Sequence, residues 1–343
     1  MSKRVRVGVV GLGAIAERAH LPHFAALPSA QLTAVSSSRP RALRAACARY
    51  SIAHGYGDWR ELVASDAVEA VAVCTPNDTH AAIALAALLH GKHVLVEKPI
   101  ATRSADAARM VAVARAERRV LAVHHNLRFH PVAVAAYQLL RRAALGRVIG
   151  FEGVLSHRGP KGWAPQAAWF FDPARVGGGA LLDLGVHAFD LLHHFVGEKT
   201  ERIAAVCLGA AKRSGGSAEH QASCLLTLAN GAIGTVSVSW RDSTYRNRWY
   251  FAGERGALEL DFTGEGRLLL HRASGVQNVA LPPAAPTAQR AFVERVLGKS
   301  GSRATPGATG EDGLLALNVS LAALRAARSK GSVRLQSASR SRS

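Results

Sequence analysis

The chain is poor in the residues that build metal clusters and disulfide frameworks. Its four cysteines, Cys47, Cys74, Cys207 and Cys224, stand far apart and form no C-x-x-C pair. A cysteine-held zinc site and a disulfide scaffold are therefore not expected, and a reducing compartment fits. No apolar run is long enough to cross a bilayer. The opening MSKRVRVGVVGLGAIA sets a basic stretch before an apolar one, as a secretory leader does. Glu17 and Arg18 follow at once, however, and a glycine pattern explains the run better, so a cytoplasmic protein without a membrane partner is expected. Acidic residues are also scarce, 24 against 43 Lys and Arg, for a net charge of +19. Such a balance raises nucleic acid as a partner, since clustered basic residues are the footprint of phosphate binding. Here the arginines are scattered through Ala-rich segments such as Ala42–Arg49 and Ala107–Arg119 and read as solvated helix faces. No specific nucleic-acid partner is expected.

The 343 residues, 48% of them hydrophobic, are enough for two domains at roughly 150 residues each. Val5, Val7, Val9 and Val10 form a β-branched run that ends in Gly11-Leu12-Gly13-Ala14-Ile15-Ala16 and continues as a helix to about Ala26. In a dinucleotide-binding turn the first glycine makes the bend and the second lets the backbone approach a pyrophosphate. The third position must be small so that helix and strand can pack. Gly11, Gly13 and Ala16 meet these demands, and the pyrophosphate would rest on the helix start at Ala14 and Ile15, where free N–H groups favour an anion. The alternative is a tight turn with no ligand. A second strand, Gln31–Val35, ends in Ser36-Ser37-Ser38-Arg39, where an NAD enzyme usually carries an acid for the ribose 2′-hydroxyl. Serines and an arginine suit a 2′-phosphate better, so NADP is expected over NAD. A plain loop with an exposed arginine is the other reading.

Further strand and helix units follow. Val68–Cys74 runs into Thr75-Pro76-Asn77 and a helix over Thr79–His90; His93–Val96 runs into Glu97-Lys98-Pro99 and a helix over Arg103–Arg118; Val120–His124 closes the series. This alternation predicts a doubly wound parallel sheet with ligands at the carboxyl ends of its strands, where Gly11, Thr75, Lys98 and His125-Asn126 fall. Beyond Asn126 come a helix over Pro131–Arg142, a strand over Val148–His157, and a Trp- and Pro-rich loop over Lys161–Pro173. The stretch GGGALLDLGVHAFD, Gly177–Asp190, is next. Asp183 and His187 stand at i and i+4, on one face of a helix. Either they form a proton-transfer pair, or they are the wet side of an amphipathic helix whose Leu181, Leu184, Phe189 and Leu192 face a core.

Six strands follow between Ile203 and His271, with the period-2 alternation of Val236, Val238 and Trp240 against Thr235, Ser237 and Ser239. That pattern leaves one sheet face free, which a symmetric homodimer or homotetramer would cover. Pro282–Pro286 reads as a linker, Ala288–Leu297 and Gly313–Arg328 as helices. The expected fold is α/β: an N-terminal Rossmann domain over 1–125, then a C-terminal α+β domain over 126–335 built on a large, mostly antiparallel open sheet. A disordered Ser/Arg tail over 336–343 ends the chain.

With the glycine turn, Glu97-Lys98-Pro99 and GGGALLDLGVHAFD in view, the chain resembles the glucose-fructose oxidoreductase / inositol dehydrogenase / MocA family of NAD(P)-dependent oxidoreductases, from Val5 to about Leu335. Thr75-Pro76-Asn77 with His80, and Asn126-x-Arg128-Phe129, add to the likeness. The resemblance implies Lys98 and His187 as the catalytic pair, meeting across an interdomain cleft, with Asp183 beside them on substrate hydroxyls. It implies a cofactor site of Gly11, Gly13, Ala14, Ile15, Ser37, Ser38, Arg39, Thr75, Pro76, Asn77, His80, Glu97, Lys98, Asn126 and Arg128. The implied substrate site takes Lys98, Asn126, Trp163, Trp169, Asp183 and His187, and a cis peptide at Lys98-Pro99 is in keeping with such a site. Substrate choice would reside in Gly159–Arg175. Whether Trp163, Trp169, Phe170 and Phe171 pack the loop or form a sugar platform stays open.

The chemistry implied is hydride transfer between NADP(H) or NAD(H) and a secondary alcohol or carbonyl of a sugar, inositol or related polyol. His187, with an ordinary pKa near 6.5, can move the proton in either direction. Lys98 can stabilise the reacting oxygen as an ammonium or, if desolvated, carry the proton itself. Both assignments stand. His124, His125, His193 and His194, and the shared face of Asp183, His187, Asp190 and His194, invite a metal, but the pair has a metal-free use and none is expected. Rival functions on the same fold are an NAD-dependent glycosidase working by transient oxidation and a non-catalytic nucleotide- and sugar-sensing regulator.

Overall fold

In a computed structural model of the chain, which describes residues 3–160, 168–209, 218–283, 286–299 and 306–335, the valine run becomes strand β1, Val5–Val10, with all but Arg6 buried. It is followed by β2 Ala30–Ser36, β3 His54–Tyr56, β4 Ala70–Val73, β5 His93–Val96 and β6 Leu121–Val123. They pair in parallel in the order β3-β2-β1-β4-β5-β6, the doubly wound order of dinucleotide-binding sheets. Such a sheet is covered on both faces, which is why its central strands are apolar runs rather than alternating ones. Val7, Val9, Ala70, Val71, Val73 and Val96 are fully buried. Strand β3 was not evident from the sequence because His54-Gly55-Tyr56 is short and mostly exposed.

The chain divides into two compact units. One gathers the chain up to Phe129, Ala174–Gly177 and Pro286–Leu314; the other takes the remainder. The first unit thus includes a segment that the sequence reading assigned to the second domain. The reason is apolar: Phe292 and Val293, on the helix Ala288–Val296, join Val5, Leu12, Leu21 and Phe24 in one core.

The second unit is built on β7 Val148–Ser156, β8 Thr200–Gly209, β9 Glu219–Leu228, β10 Ile233–Ser239, β11 Arg246–Gly253, β12 Gly256–Asp261, β13 Arg267–Arg272, β14 Gly275–Asn278 and β15 Ser332–Arg334. Their order is β14-β13-β12-β11-β7-β10-β9-β8-β15. Every pair is antiparallel except β7 with β10. The short edge strands β14 and β15 carry no apolar alternation and were not predicted. One face packs on the helix Val186–Val196, whose Phe195 meets Phe251 edge-on at 5.5 Å while Trp249 stacks on Phe251 at 5.8 Å. Gly153 lies beneath that indole, where a Cβ would come within 2.4 Å of the ring. The opposite face leaves Val206, Leu225 and Ile233 more than half exposed. Among the described residues no helix is long and apolar enough to cross a membrane. The tail expected to be disordered, 336–343, lies outside the described residues.

Candidate active site

Strand β1 delivers the glycine turn. Gly11 has φ +89°, and a Cβ there would stand 2.8 Å from the Cys74 carbonyl, so only glycine makes this bend. Its N–H donates to the Ser36 carbonyl at the end of β2 (2.9 Å). A Cβ on Gly13 would meet nothing within 4 Å, whereas Ala16 is completely buried. The turn therefore offers open space where a pyrophosphate would lie and close packing where the helix must meet the sheet, and these residues fit a dinucleotide. Ile15 leads into a π-helical turn, Ala16–His20, that continues as the α-helix Leu21–Ala26. Ser37 accepts from the Arg39 N–H (3.2 Å), and the Arg39 guanidinium bonds the Leu12 carbonyl. The exposed arginine thus touches the glycine turn.

At the end of β4, several residues expected at the cofactor hold the backbone. Asn77 is buried and donates to the Val176 carbonyl (3.2 Å). His80 is fully buried, with Nδ1 and Nε2 each 2.8 Å from a carbonyl, those of Pro99 and Thr75. Arg128 lies buried 3.4 Å from the Asp312 carboxylate. Burial would raise the Asp312 pKa, but the guanidinium and the Thr309 N–H bring it below the usual range. Asn126 is exposed.

Strand β5 ends in Glu97, Lys98 and Pro99, and the Lys98-Pro99 peptide is cis. Glu97 is 6% exposed. Its Oε1 accepts from His20 Nε2 at 2.8 Å and His124 Nδ1 at 2.7 Å, and its Oε2 accepts from the Lys98 N–H at 3.2 Å. The carboxylate expected to contact a cofactor is thus taken up within the protein. Among the described residues, His20, Glu97 and His124 also form the one His/Cys/Asp/Glu group compact enough for a metal. Their separations are those of hydrogen bonds, with one oxygen shared by two nitrogens, and a zinc with ligands at about 2.0–2.2 Å would have to displace them.

Burial would raise the Glu97 pKa, but the His124 and His20 rings facing it hold it well below the carboxylate range. Burial pushes His20 down to about 4. An unfolded chain titrates this histidine near 6.5, so between those values the unfolded state binds more protons and stability falls as pH falls. The swing is about 3 kcal/mol across the window, and Glu97 acts in the same direction below it. Thermal unfolding should show a lower Tm at pH 5 than at pH 7; an equal Tm would contradict the burial of a neutral His20.

In the second unit, Glu219 on β9 sets the entrance of the GGGALLDLGVHAFD helix. Its buried carboxylate accepts from Gly179 N (3.0 Å) and Leu181 N (2.8 Å). Burial raises its pKa against the pull of those N–H groups. A π-helical turn, Leu181–Gly185, then runs into the α-helix Val186–Val196; such turns recur at functional sites. The helix is buried all round: Asp183 is 3% exposed and His187 8%. The wet-face alternative is therefore wrong. Asp183 Oδ2 accepts from Trp240 Nε1 at 2.8 Å, with His157 Nε2 at 3.6 Å. His157 Nδ1 accepts from the Gly159 N–H (2.8 Å), which leaves the proton of the neutral ring on Nε2, facing Asp183. His194 stacks on Tyr137 at 4.2 Å. Trp169 packs on Phe170 at 4.3 Å, while Trp163 lies outside the described residues.

His157 and Trp240, with Glu219, His20 and Gln289, were missed in the sequence. His157 and Trp240 follow β7 and β10, the one parallel pair of the second sheet, so both leave it at the same edge beside Asp183. The signal for them is a register between strands some eighty residues apart, which local periodicity does not carry.

Residues 5–125 match a profile described as "Oxidoreductase family, NAD-binding Rossmann fold", and residues 133–259 match "GFO/IDH/MocA C-terminal domain". The chain is 31% identical to a dTDP-3,4-didehydro-2,6-dideoxy-alpha-D-glucose 3-reductase of Streptomyces antibioticus, over 82% of this chain and 85% of that protein. It is 29% identical to a myo-inositol 2-dehydrogenase of Thermotoga maritima, over 97% of this chain and 99% of that one. A solved structure of a levoglucosan dehydrogenase in complex with NADH superposes with a TM-score of 0.86 at 23% identity, covering 97% of this chain and 100% of that one. The glycine turn, the strand end at Lys98 and the buried Asp183 helix are thus parts of an oxidoreductase, and the chain belongs to the GFO/IDH/MocA family.

Proposed function

We propose that the protein transfers a hydride between a nicotinamide dinucleotide and a secondary alcohol or carbonyl of a sugar, inositol or related polyol. The observation that carries this reading is the burial of Asp183 and His187 together on one helix in a chain whose other unit holds an open glycine turn. When bound, the nicotinamide supplies or accepts the hydride, and the protein supplies position and electrostatics. Gly11, Gly13, Ala14 and Ile15 would hold the pyrophosphate, and Thr75, Pro76 and Asn126 would line the path to the ring. Lys98 would hydrogen-bond the reacting oxygen and His187 would exchange its proton, with the opposite assignment still chemically sound. Asp183, its Oδ2 fixed by Trp240, would receive a substrate hydroxyl; Trp163 and Trp169 would flank the sugar. Relatives that act on a deoxysugar nucleotide and on myo-inositol make cyclic polyols and sugars the panel to test. Net change in NAD(P)H absorbance with that panel supports the proposal. Glycoside cleavage without net cofactor turnover would favour the transient-oxidation alternative, and binding of cofactor and sugar without any reaction would favour a sensor.

NADP is the favoured cofactor in this reading, on the strength of Ser37, Ser38 and Arg39 and the missing acid after β2. Arg39→Asp should shift preference toward NAD by at least about tenfold, one ionic contact to a phosphate being worth 1.5–3 kcal/mol. Equal affinity of the wild type for both cofactors, measured by fluorescence quenching, would sink the preference. The exposed face bearing Val206, Leu225 and Ile233 is proposed to pair with a second copy as a homodimer, or twice over as a homotetramer; a monomeric mass in light scattering would refute this. A division into a nucleotide-binding first unit and a substrate-binding second unit belongs to the same reading, as does a cytoplasmic location, with which the free cysteines agree.

A further inference from the structure

The buried polar chain behind Lys98 has a use that the reading above leaves unassigned. Glu97 is an acceptor when ionised, so both nitrogens facing it carry protons: His20 on Nε2 and His124 on Nδ1. His124 Nε2 is then an acceptor, and Gln289 Nε2 donates to it at 3.0 Å. The Gln289 Oε1 in turn lies 3.2 Å from His23 Nδ1. Each contact in this sequence thus pairs one donor with one acceptor. The rings of His20 and His124 meet at a tilt of 48° with centroids 4.4 Å apart, and His20, Gln289, His124 and Glu97 are all buried. Among the described residues His20 Nδ1 meets no partner, which a lone pair tolerates far better than a proton does. The outcome is one buried negative charge whose free oxygen accepts the peptide N–H of Lys98 at 3.2 Å. One residue further on, the Pro99 carbonyl is held by His80 at 2.8 Å.

We infer that His20 and His124 are positioning residues for the reaction: by fixing the Glu97 carboxylate they fix the main chain from which Lys98 extends. The inference rests on the proposed role of Lys98. A reacting group displaced by about 1 Å can lose a hundredfold in rate, so the stiffness of this support bears directly on turnover. These partners follow from the geometry around Glu97.

Two measurements test it. In protein labelled with ¹⁵N-histidine and saturated with NADH at pH 7, imidazole spectra should show the Nε2–H tautomer for His20 and the Nδ1–H tautomer for His124. The Lys98→Ala variant should show the same pattern. An Nε2–H tautomer at His124, or an imidazolium at His20, overturns the inference. In kinetics with the best-turned-over sugar of the panel, His124→Leu should lower kcat by about tenfold or more while KM and the cofactor Kd stay within about twofold. His124→Asn, whose Nδ2 can occupy the place of Nδ1, should recover to within about threefold of wild type. In a Lys98→Ala background His124→Leu should cost nothing further. An equal loss with and without Lys98, or an Asn variant as slow as the Leu variant, overturns the inference and marks His124 as packing. Lys98→Ala with wild-type kcat would instead overturn the assignment of Lys98, an outcome that the tautomer pattern does not depend on.

Discussion

Lys98→Ala and His187→Ala are each expected to lower kcat by about two to four orders of magnitude, the range for a positioned acid–base or oxyanion-stabilising group. Cofactor Kd should change little, because the glycine turn and the segment Ser37–Arg39 carry that binding in the proposed site. Neither side chain sits where its removal should unfold the protein: Lys98 is half-buried at a strand end, and the helix holding His187 is anchored by Phe189, Leu192 and Phe195. Asp183→Asn should behave differently. Its Oδ2 accepts the Trp240 N–H, a contact an amide oxygen can keep, so the loss should fall chiefly on KM if Asp183 holds a hydroxyl, and on kcat as well if it tunes His187. Near wild-type kcat in both alanine variants would return the two residues to structural roles.

Gly179→Ala should have the largest effect on folding. A Cβ at this position would lie 1.8 Å from the Glu219 carbonyl oxygen and 2.8 Å from its nitrogen. Those are backbone atoms of β9, which cannot rotate away as a side chain would. Either the strand or the helix entrance must move, and both movements break the bonds from Gly179 N and Leu181 N to the buried Glu219 carboxylate. Overpacking alone costs about 1–3 kcal/mol, and a buried carboxylate stripped of donors adds about 1–3 kcal/mol or more. The variant should therefore lose at least about 2 kcal/mol, read as a Tm drop of several degrees or more, or as insoluble expression. A variant that unfolds at the wild-type temperature would contradict the close approach. Glu219→Gln, which keeps an acceptor oxygen for the two N–H groups, should be milder.

Much of the architecture could be read from local pattern. The valine run before Gly11 and the strand-helix alternation up to His124 report a parallel sheet covered on both faces and five of its six strands, β3 being the exception. Asp183 and His187 could be singled out by spacing and resemblance, but whether they were wet or buried could not, since Leu181 and Leu184 support either a one-sided or an all-round apolar helix. The functions of Asn77, His80, Glu97 and Arg128 were least legible. Each sits in a motif that suggests a ligand, yet the Asn77 and Arg128 side chains meet Val176 and Asp312, distant in sequence. Glu97 is claimed by His20 and His124, which arrive from the first helix and the last parallel strand. A motif records that a residue type is required; only the long-range fold determines which neighbour requires it.

The return of residues Pro286–Leu314 to the first unit has a consequence for how the protein is made. Phe292 and Val293 complete a core begun by Val5, and Asp312 is an ionic partner of Arg128, so the nucleotide-binding unit lacks part of its interior until residues 286–314 have left the ribosome. Domains usually fold as units in order of synthesis. Here the first unit must wait for 286–314, through a loop-closure step spanning β7 to β14 of the second sheet. A fragment ending near residue 125 should emerge with an apolar gap beside β1 and β5, and a separately supplied 286–335 peptide is the piece that would close it.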